Sequence, residues 1–146
     1  MRRKCAVTCD AGLRSVVAMS SDLRHRLGRA GERLAAEHLE RLGLSIVARN
    51  HRTRFGELDL VARDARRLVF CEVKTRRLAG SSRLGGWSPF DGLRDDQCRR
   101  LRRMAAAWLA DQPPGPRPAE LRFDAIGVTI DATGRLVALE HLEDAF

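Results

Sequence analysis

Apolar residues recur three and four positions apart through the first part of the chain: Leu27, Ala30, Gly31, Leu34, Ala35, His38, Leu39 and Leu42 fall on one stripe. That spacing predicts an amphipathic helix with one buried face. Ser20, Ser21 and Asp22 supply N-cap candidates, and Gly43 ends the pattern, as a glycine does when it accepts the left-handed turn past a helix. The period then changes. Residues 44–49, 57–62 and 68–75 are short runs rich in Val, Ile, Leu and Phe, the composition of strands. Between the last two, Arg63-Asp64-Ala65-Arg66-Arg67 reads as a hairpin turn.

Residues 76–92 carry four glycines, several serines and Pro89 without a period, which predicts a mobile loop beside the third strand. Asp95 and Asp96 then open a second helix, where acidic groups meet the positive end of the helix dipole. Its buried stripe is Leu101, Met104, Ala105, Trp108 and Leu109, with Arg99, Arg100, Arg102 and Arg103 turned elsewhere. The proline-rich stretch 112–118 is a stiff linker. Residues 121–130 and 135–142 form a closing hairpin around Asp131-Ala132-Thr133-Gly134. The order αβββαββ, with two helices to cover a mainly antiparallel or mixed sheet, places residues 21–146 in one α/β or α+β domain. Residues 1–20 lack either period and are expected to be a disordered N-terminal extension, with Met19 an alternative start.

Composition narrows the function classes. The net charge of +8 and pI near 10.8 suit a polyanionic partner, because basic side chains displace the counterions around nucleic acid phosphates. Of the 27 basic residues only Lys4 and Lys74 are lysine. Where arginine is otherwise used throughout, Lys74 puts a compact ammonium of shiftable pKa inside a strand. Cys5, Cys9, Cys71 and Cys98 show no CxxC spacing, so neither a disulfide nor a zinc site is expected, and Cys71 should be a buried thiol. His25, His38, His51 and His141 have no metal-ligand spacing. No apolar run has the length of a membrane span and the N-terminus lacks a leader-like apolar core, so a cytoplasmic location away from membranes is expected.

If the second hairpin is centred between Ala65 and Arg66, Asp59 falls directly across from Glu72. Opposed Cβ atoms on one face lie about 5 Å apart, and two like charges so placed repel unless a cation or proton lies between them. Alternation puts Lys74 on the face of Glu72 and Glu57 on the face of Asp59, with Leu58, Leu60, Cys71 and Val73 on the opposite, apolar face. Two carboxylates beside a lysine suit Mg²⁺ or Mn²⁺, which take hard oxygen ligands. The same spacing also describes an exposed hairpin face on which Lys74 bridges Glu57 or Glu72.

Gly31-Glu32, then Gly56-Glu57-Leu58-Asp59-Leu60-Val61-Ala62, then Val69-Phe70-Cys71-Glu72-Val73-Lys74-Thr75-Arg76 resemble the successive motifs of the YraN-like group of predicted bacterial endonucleases, related in fold to archaeal Holliday junction resolvases. The similarity runs over roughly residues 24–146 and extends through Asn50, Arg52, the second helix, Arg122-Phe123-Asp124 and Ala145-Phe146. It implies a restriction-endonuclease-like PD-(D/E)XK core, a central mixed sheet flanked by helices, with Asp59 and Glu72 as metal ligands. Val73 would lend its carbonyl and Lys74 act as the catalytic lysine. Glu32 matches an acidic helix residue of the resolvases that completes the metal site; as a helix residue it also fits a solvated role. Glu57 would ligate through water or pair with an arginine. Asp95-Asp96 departs from relatives that carry basic residues there, leaving Gln97 as the nearest polar substitute. Arg52, Arg54, Arg76 and Arg77 flank the motifs and suit phosphate contacts, with Trp87 placed to stack on an unpaired base.

The expected activity is Mg²⁺-dependent hydrolysis of DNA phosphodiesters, selective for branched or distorted duplex. A non-catalytic DNA-binding module or an RNase on the same fold are the alternatives, and symmetric cutting of a junction would suit a homodimer.

Overall fold

The computed structural model describes residues 4–8, 21–78, 90 and 95–146. The elements run β1 (Lys4–Thr8), α1 (Ser21–Arg41), β2 (Ser45–Thr53), β3 (Gly56–Arg63), β4 (Arg67–Arg77), α2 (Asp95–Ala110), β5 (Glu120–Ile130) and β6 (Leu136–Leu142). They build one six-stranded sheet in the order β1-β6-β5-β4-β3-β2. It is a mixed sheet, since β4 and β5 run parallel and every other neighbouring pair is antiparallel. From α1 onward the order is the one read from the sequence. The difference lies upstream: Lys4–Thr8, within the stretch expected to be disordered, pairs antiparallel with β6. An antiparallel partner on an edge strand satisfies backbone groups that short-range periodicity does not register.

The helices take opposite faces. Ala35, Ala36 and Leu39 of α1 pack with Leu60, Ala62, Val69, Cys71, Ile126, Val128 and Ile130. Leu101, Met104, Ala105 and Trp108 of α2 pack with Leu58, Val61, Leu68 and Phe70. In β4 consecutive residues from Leu68 to Cys71 alternate between the two cores, and all are buried. A strand covered on both faces needs such an unbroken apolar run. From Glu72 onward β4 is only half-buried, so polar side chains begin where the helical cover thins.

The turns are built by side chains that satisfy backbone donors. Asp64 Oδ1 accepts from the amides of Arg66 and Arg67 at 2.8 and 2.7 Å, which fixes the β3–β4 turn. The Arg67 guanidinium bonded to it, and then these backbone amides, hold the Asp64 carboxyl well below the usual range. Asp131 Oδ1 does the same for the amides of Thr133 and Arg135 between β5 and β6, with Gly134 at φ 88°. The short β2–β3 turn, which the strand pattern did not announce, is closed by Thr53 Oγ1, which donates to the Gly56 carbonyl and accepts from the Phe55 amide.

A buried polar chain ties α1 to β5 and β6. His38 Nε2 meets His141 Nδ1 at 3.2 Å, and His141 Nε2 meets Asp124 Oδ2 at 2.8 Å. Arg122 donates to the same oxygen at 2.9 Å, and the Asp144 amide donates to Asp124 Oδ1. All four side chains are buried, so the ion pair of Arg122 with Asp124 is shielded from water and each group depends on its partner. The histidines carry structure here that their spacing in the chain gave no hint of.

Among the described residues no helix is long and apolar enough to cross a membrane. A cleft of about 980 Å³ opens between the β3–β4 turn, the end of α2 and the 112–118 linker. It lies at the end of the sheet away from Glu72 and Lys74 and gathers no group of acids, so its volume does not mark chemistry.

Candidate active site

The β3–β4 ladder pairs Leu60 with Cys71, Val61 with Phe70, Ala62 with Val69 and Arg63 with Leu68. This is the register expected for the hairpin, and its next step sets Asp59 against Glu72. The regular ladder stops one residue short of that pair. In place of a backbone bond, Asp59 Oδ2 accepts the Val73 amide at 2.7 Å. A carboxylate has thus taken the donor that a strand would have paired, and it is fixed where the two strands part.

On the other side of β3 the pairing with β2 is also interrupted. Arg49 pairs with Leu60 and His51 with Leu58, which leaves Asn50 facing Asp59 with a left-handed φ of 47°. Asparagine tolerates that conformation better than most residues. The distortion corrects one expectation: Leu58 does not share the face of Leu60. It joins Val61 in the α2 core, while Leu60 lies in the α1 core, because strict alternation is lost at Asp59.

Helix α1 brings the third carboxylate. A Cβ on Gly31 would overlap the Thr75 hydroxyl and stand only 2.7 and 2.8 Å from its Cγ2 and Cβ, so glycine is what lets the helix backbone lie against β4. That contact sets the next residue, Glu32, over the hairpin, where Asn50 Nδ2 donates to its Oε2 at 2.7 Å. Asn50 was given no role from its place in the sequence. Its advance signal was its place among the positions through which the family resemblance extends, just past the predicted strand 44–49.

The carboxylates sense one another. Burial pushes the Asp59 carboxyl up from 3.8 to about 7, and the charges of Glu72 and Glu32 push in the same direction. The Val73 amide and Lys74 oppose this without cancelling it. Lys74 Nζ donates to Glu72 Oε1 at 2.6 Å, the bridge that the exposed-face reading allowed. Glu72 is nevertheless only 23% exposed and Lys74 37%, and the neighbouring Asp59, raised to about 7, is unlike an acid on a solvated salt-bridged surface.

The remaining candidates separate. Glu57 pairs with Arg52 at 3.2 Å, the arginine pairing that was its alternative role. Arg76 and Arg77, expected in the loop, belong to β4; Arg76 donates to Thr129 Oγ1 and Arg77 to the Ala132 carbonyl. Arg54 lies over the Phe55 ring at 4.7 Å. Gln97, in the first turn of α2, keeps a buried Oε1 without a hydrogen-bond partner among the described residues. Trp87 and most of the expected mobile loop lie outside the described residues. Cys71 is a free, buried thiol next to the acids, raised by burial and by the charges of Asp124, Asp59 and Glu72.

As they stand, no three His, Cys, Asp or Glu side chains among the described residues are close enough to hold a metal ion. The donor chemistry still fits a hard divalent cation. Each acid uses one oxygen in a bond to Val73, Lys74 or Asn50, while Asp59 Oδ1, Glu72 Oε2 and Glu32 Oε1 accept none among the described residues. A cation would relieve the mutual repulsion that raises Asp59.

Known proteins place the chain in a family. It is 44% identical over 128 residues to a UPF0102 protein of Frankia alni, covering 88% of this chain and all of the relative. It is 45% identical over 118 residues to one from Streptomyces griseus, covering 81% of this chain and 93% of the relative. Acidothermus cellulolyticus supplies another at 48% identity, over 65% of this chain and 68% of the relative. With the family model matching residues 31–128, from Gly31 through the hairpin acids to β5, the chain belongs to UPF0102, an uncharacterised protein family, the YraN-like group that its motifs resemble.

Proposed function

We propose that this protein is a divalent-metal-dependent endonuclease with a restriction-endonuclease-like PD-(D/E)XK core, hydrolysing phosphodiester bonds in branched DNA. The observation that carries the reading is that Asp59, fixed by the Val73 amide where β3 and β4 part, has Glu72, bonded to Lys74, across the hairpin and Glu32, held by Asn50, on the helix above. A fold that needed only stability gains nothing from setting like-charged acids of α1, β3 and β4 near enough to raise one another. Asp59, Glu72 and the Val73 carbonyl, with Glu32 alongside, would hold Mg²⁺ or Mn²⁺, which would polarise a phosphoryl oxygen and ease the deprotonation of water.

The chain's own groups have separate tasks. The Val73 amide fixes the orientation of Asp59, and Asn50 fixes Glu32. Lys74, anchored on Glu72, offers ammonium donors where negative charge builds on the phosphorus oxygens. The net charge of +8 favours a polyanionic substrate, and cutting both strands of a junction would use two such sites in a two-fold dimer.

The test is incubation of the purified protein with four-way junctions, flaps, single strands, plain duplex and RNA, in Mg²⁺, in Mn²⁺ and in chelator. Junction cleavage that needs the metal and is lost in Asp59→Ala and Lys74→Ala protein is expected. Cleavage that survives either substitution would remove this site, binding without cleavage of any substrate would indicate a non-catalytic module, and preference for RNA would replace DNA as the substrate.

A further inference from the structure

Three guanidinium groups gather on one residue, Phe55, outside the acidic group. Arg54 stands over the Phe55 ring at 4.7 Å and Arg103 at 5.5 Å. Arg100 Nε donates to the Phe55 carbonyl at 3.1 Å. The Arg100 guanidinium also covers Gly56, where a Cβ would come within 2.8 Å of its Nε. Gly56 has φ 138°, so the β2–β3 turn is shaped to receive this arginine. All three arginines are exposed, and none has a carboxylate partner among the described residues. Arg102, over the Phe123 ring at 5.8 Å, continues the basic surface along α2.

Like charges placed together without a counter-charge destabilise a protein surface, and ion pairing elsewhere in this chain shows that carboxylates were available to relieve it. A guanidinium held over an aromatic ring by its π face has its position set before any anion arrives. From their distances to one ring, the Arg54 and Arg103 cations stand at most roughly 10 Å apart, a span along which a duplex presents several phosphates. Gly56 lies three residues before Asp59 on β3, or about 10 Å along the strand.

We infer that Arg54, Arg100 and Arg103, organised around Phe55, form a backbone-binding platform for a duplex arm beside the cleavage site, distinct from the groups that act on the scissile phosphate. The choice of nucleic acid over other polyanions rests on the nuclease reading. The platform reads charge and not sequence, so it would grip plain and branched duplex alike.

The test is fluorescence anisotropy with labelled duplex and labelled four-way junction in chelator, titrated between about 50 and 200 mM salt. Three proteins are compared: wild type, R54Q/R100Q/R103Q, and R41Q/R66Q/R117Q, which removes equal charge from exposed positions elsewhere. Thermal melts confirm folding, and R100K, which keeps the charge, serves if the first triple variant is unstable. The platform variant is expected to bind on the order of a hundredfold more weakly at about 0.1 M salt, with a log–log salt slope shallower by roughly 2.7 for three lost phosphate contacts. R100K should keep the wild-type slope, as should the control triple. Equal loss in both triples, an unchanged slope, a lost slope in R100K, or wild type that binds acidic peptide but not duplex would each overturn the inference. Intact binding in a protein that cleaves nothing would refute the nuclease reading and leave the platform standing.

Discussion

Replacing Asp59 by asparagine should make the metal-free protein more stable. The carboxyl titrates at about 7 in the fold against 3.8 as its ordinary value, and a gap of about 3 pH units corresponds to roughly 4 kcal/mol. Because the folded group holds its proton to higher pH than the unfolded one, its favourable contribution is complete below about pH 3.8 and is lost as pH rises to about 7. Asparagine cannot ionise, and its side-chain oxygen can still accept the Val73 amide. In chelator near pH 8, Asp59→Asn should therefore gain up to about 4 kcal/mol in urea unfolding followed by circular dichroism, with a Tm higher by on the order of 10 °C. Near pH 4 the two proteins should converge. Added Mg²⁺ should narrow the gap at pH 8, since only the wild type retains the full acid set and ligand binding stabilises the folded state. A variant no more stable than wild type at pH 8, or a difference that does not change with pH, would refute the electrostatic account.

Gly31→Ala should cost about 1–3 kcal/mol in urea unfolding, and Thr75→Ala in the same chain should return part of it by removing the overlapped hydroxyl and methyl. Asp124→Ala leaves the buried Arg122 only the longer contact to Glu143 at 3.5 Å and removes the acceptor of His141, and a loss of about 3 kcal/mol by the same measurement is expected. His38 is lowered below 6.5, first by burial and then by His141 and Arg41, so its contribution is intact above about pH 6.5 and is lost as pH falls further; His38→Gln should flatten that limb in melts between about pH 5 and 7. Lys74→Ala should slow junction cleavage in Mg²⁺ on the order of a hundredfold or more in single-turnover assays, while leaving duplex binding in chelator close to wild type.

The catalytic candidates divide by how far apart their partners lie in the chain. Asp59, Glu72 and Lys74 were legible because one hairpin holds them: period two sets which residues share a face, and a turn centred between Ala65 and Arg66, as the ladder has it, sets Asp59 against Glu72. Glu32 was placed by family resemblance alone, and Asn50 received no role. Their meeting depends on how closely α1 approaches β4, which the Gly31–Thr75 contact sets across more than forty residues of chain. The His38–His141 contact spans a still longer separation, and no local pattern distinguishes a histidine that will find such a partner from one on a solvated face.

By itself the sequence determined the two helices and the core strands from β2 to β6 in order, because each follows from short-range periodicity and turn chemistry, while the opposition of Asp59 and Glu72 followed only from the assumed centre of the hairpin, which the observed ladder has. Tertiary structure alone decided that Lys4–Thr8 extends the sheet, that alternation breaks at Asp59, and that α1 lowers a third carboxylate onto the hairpin. Those outcomes depend on the packing of distant segments, and the raised Asp59 carboxyl exists only once burial and converging charges act on it together.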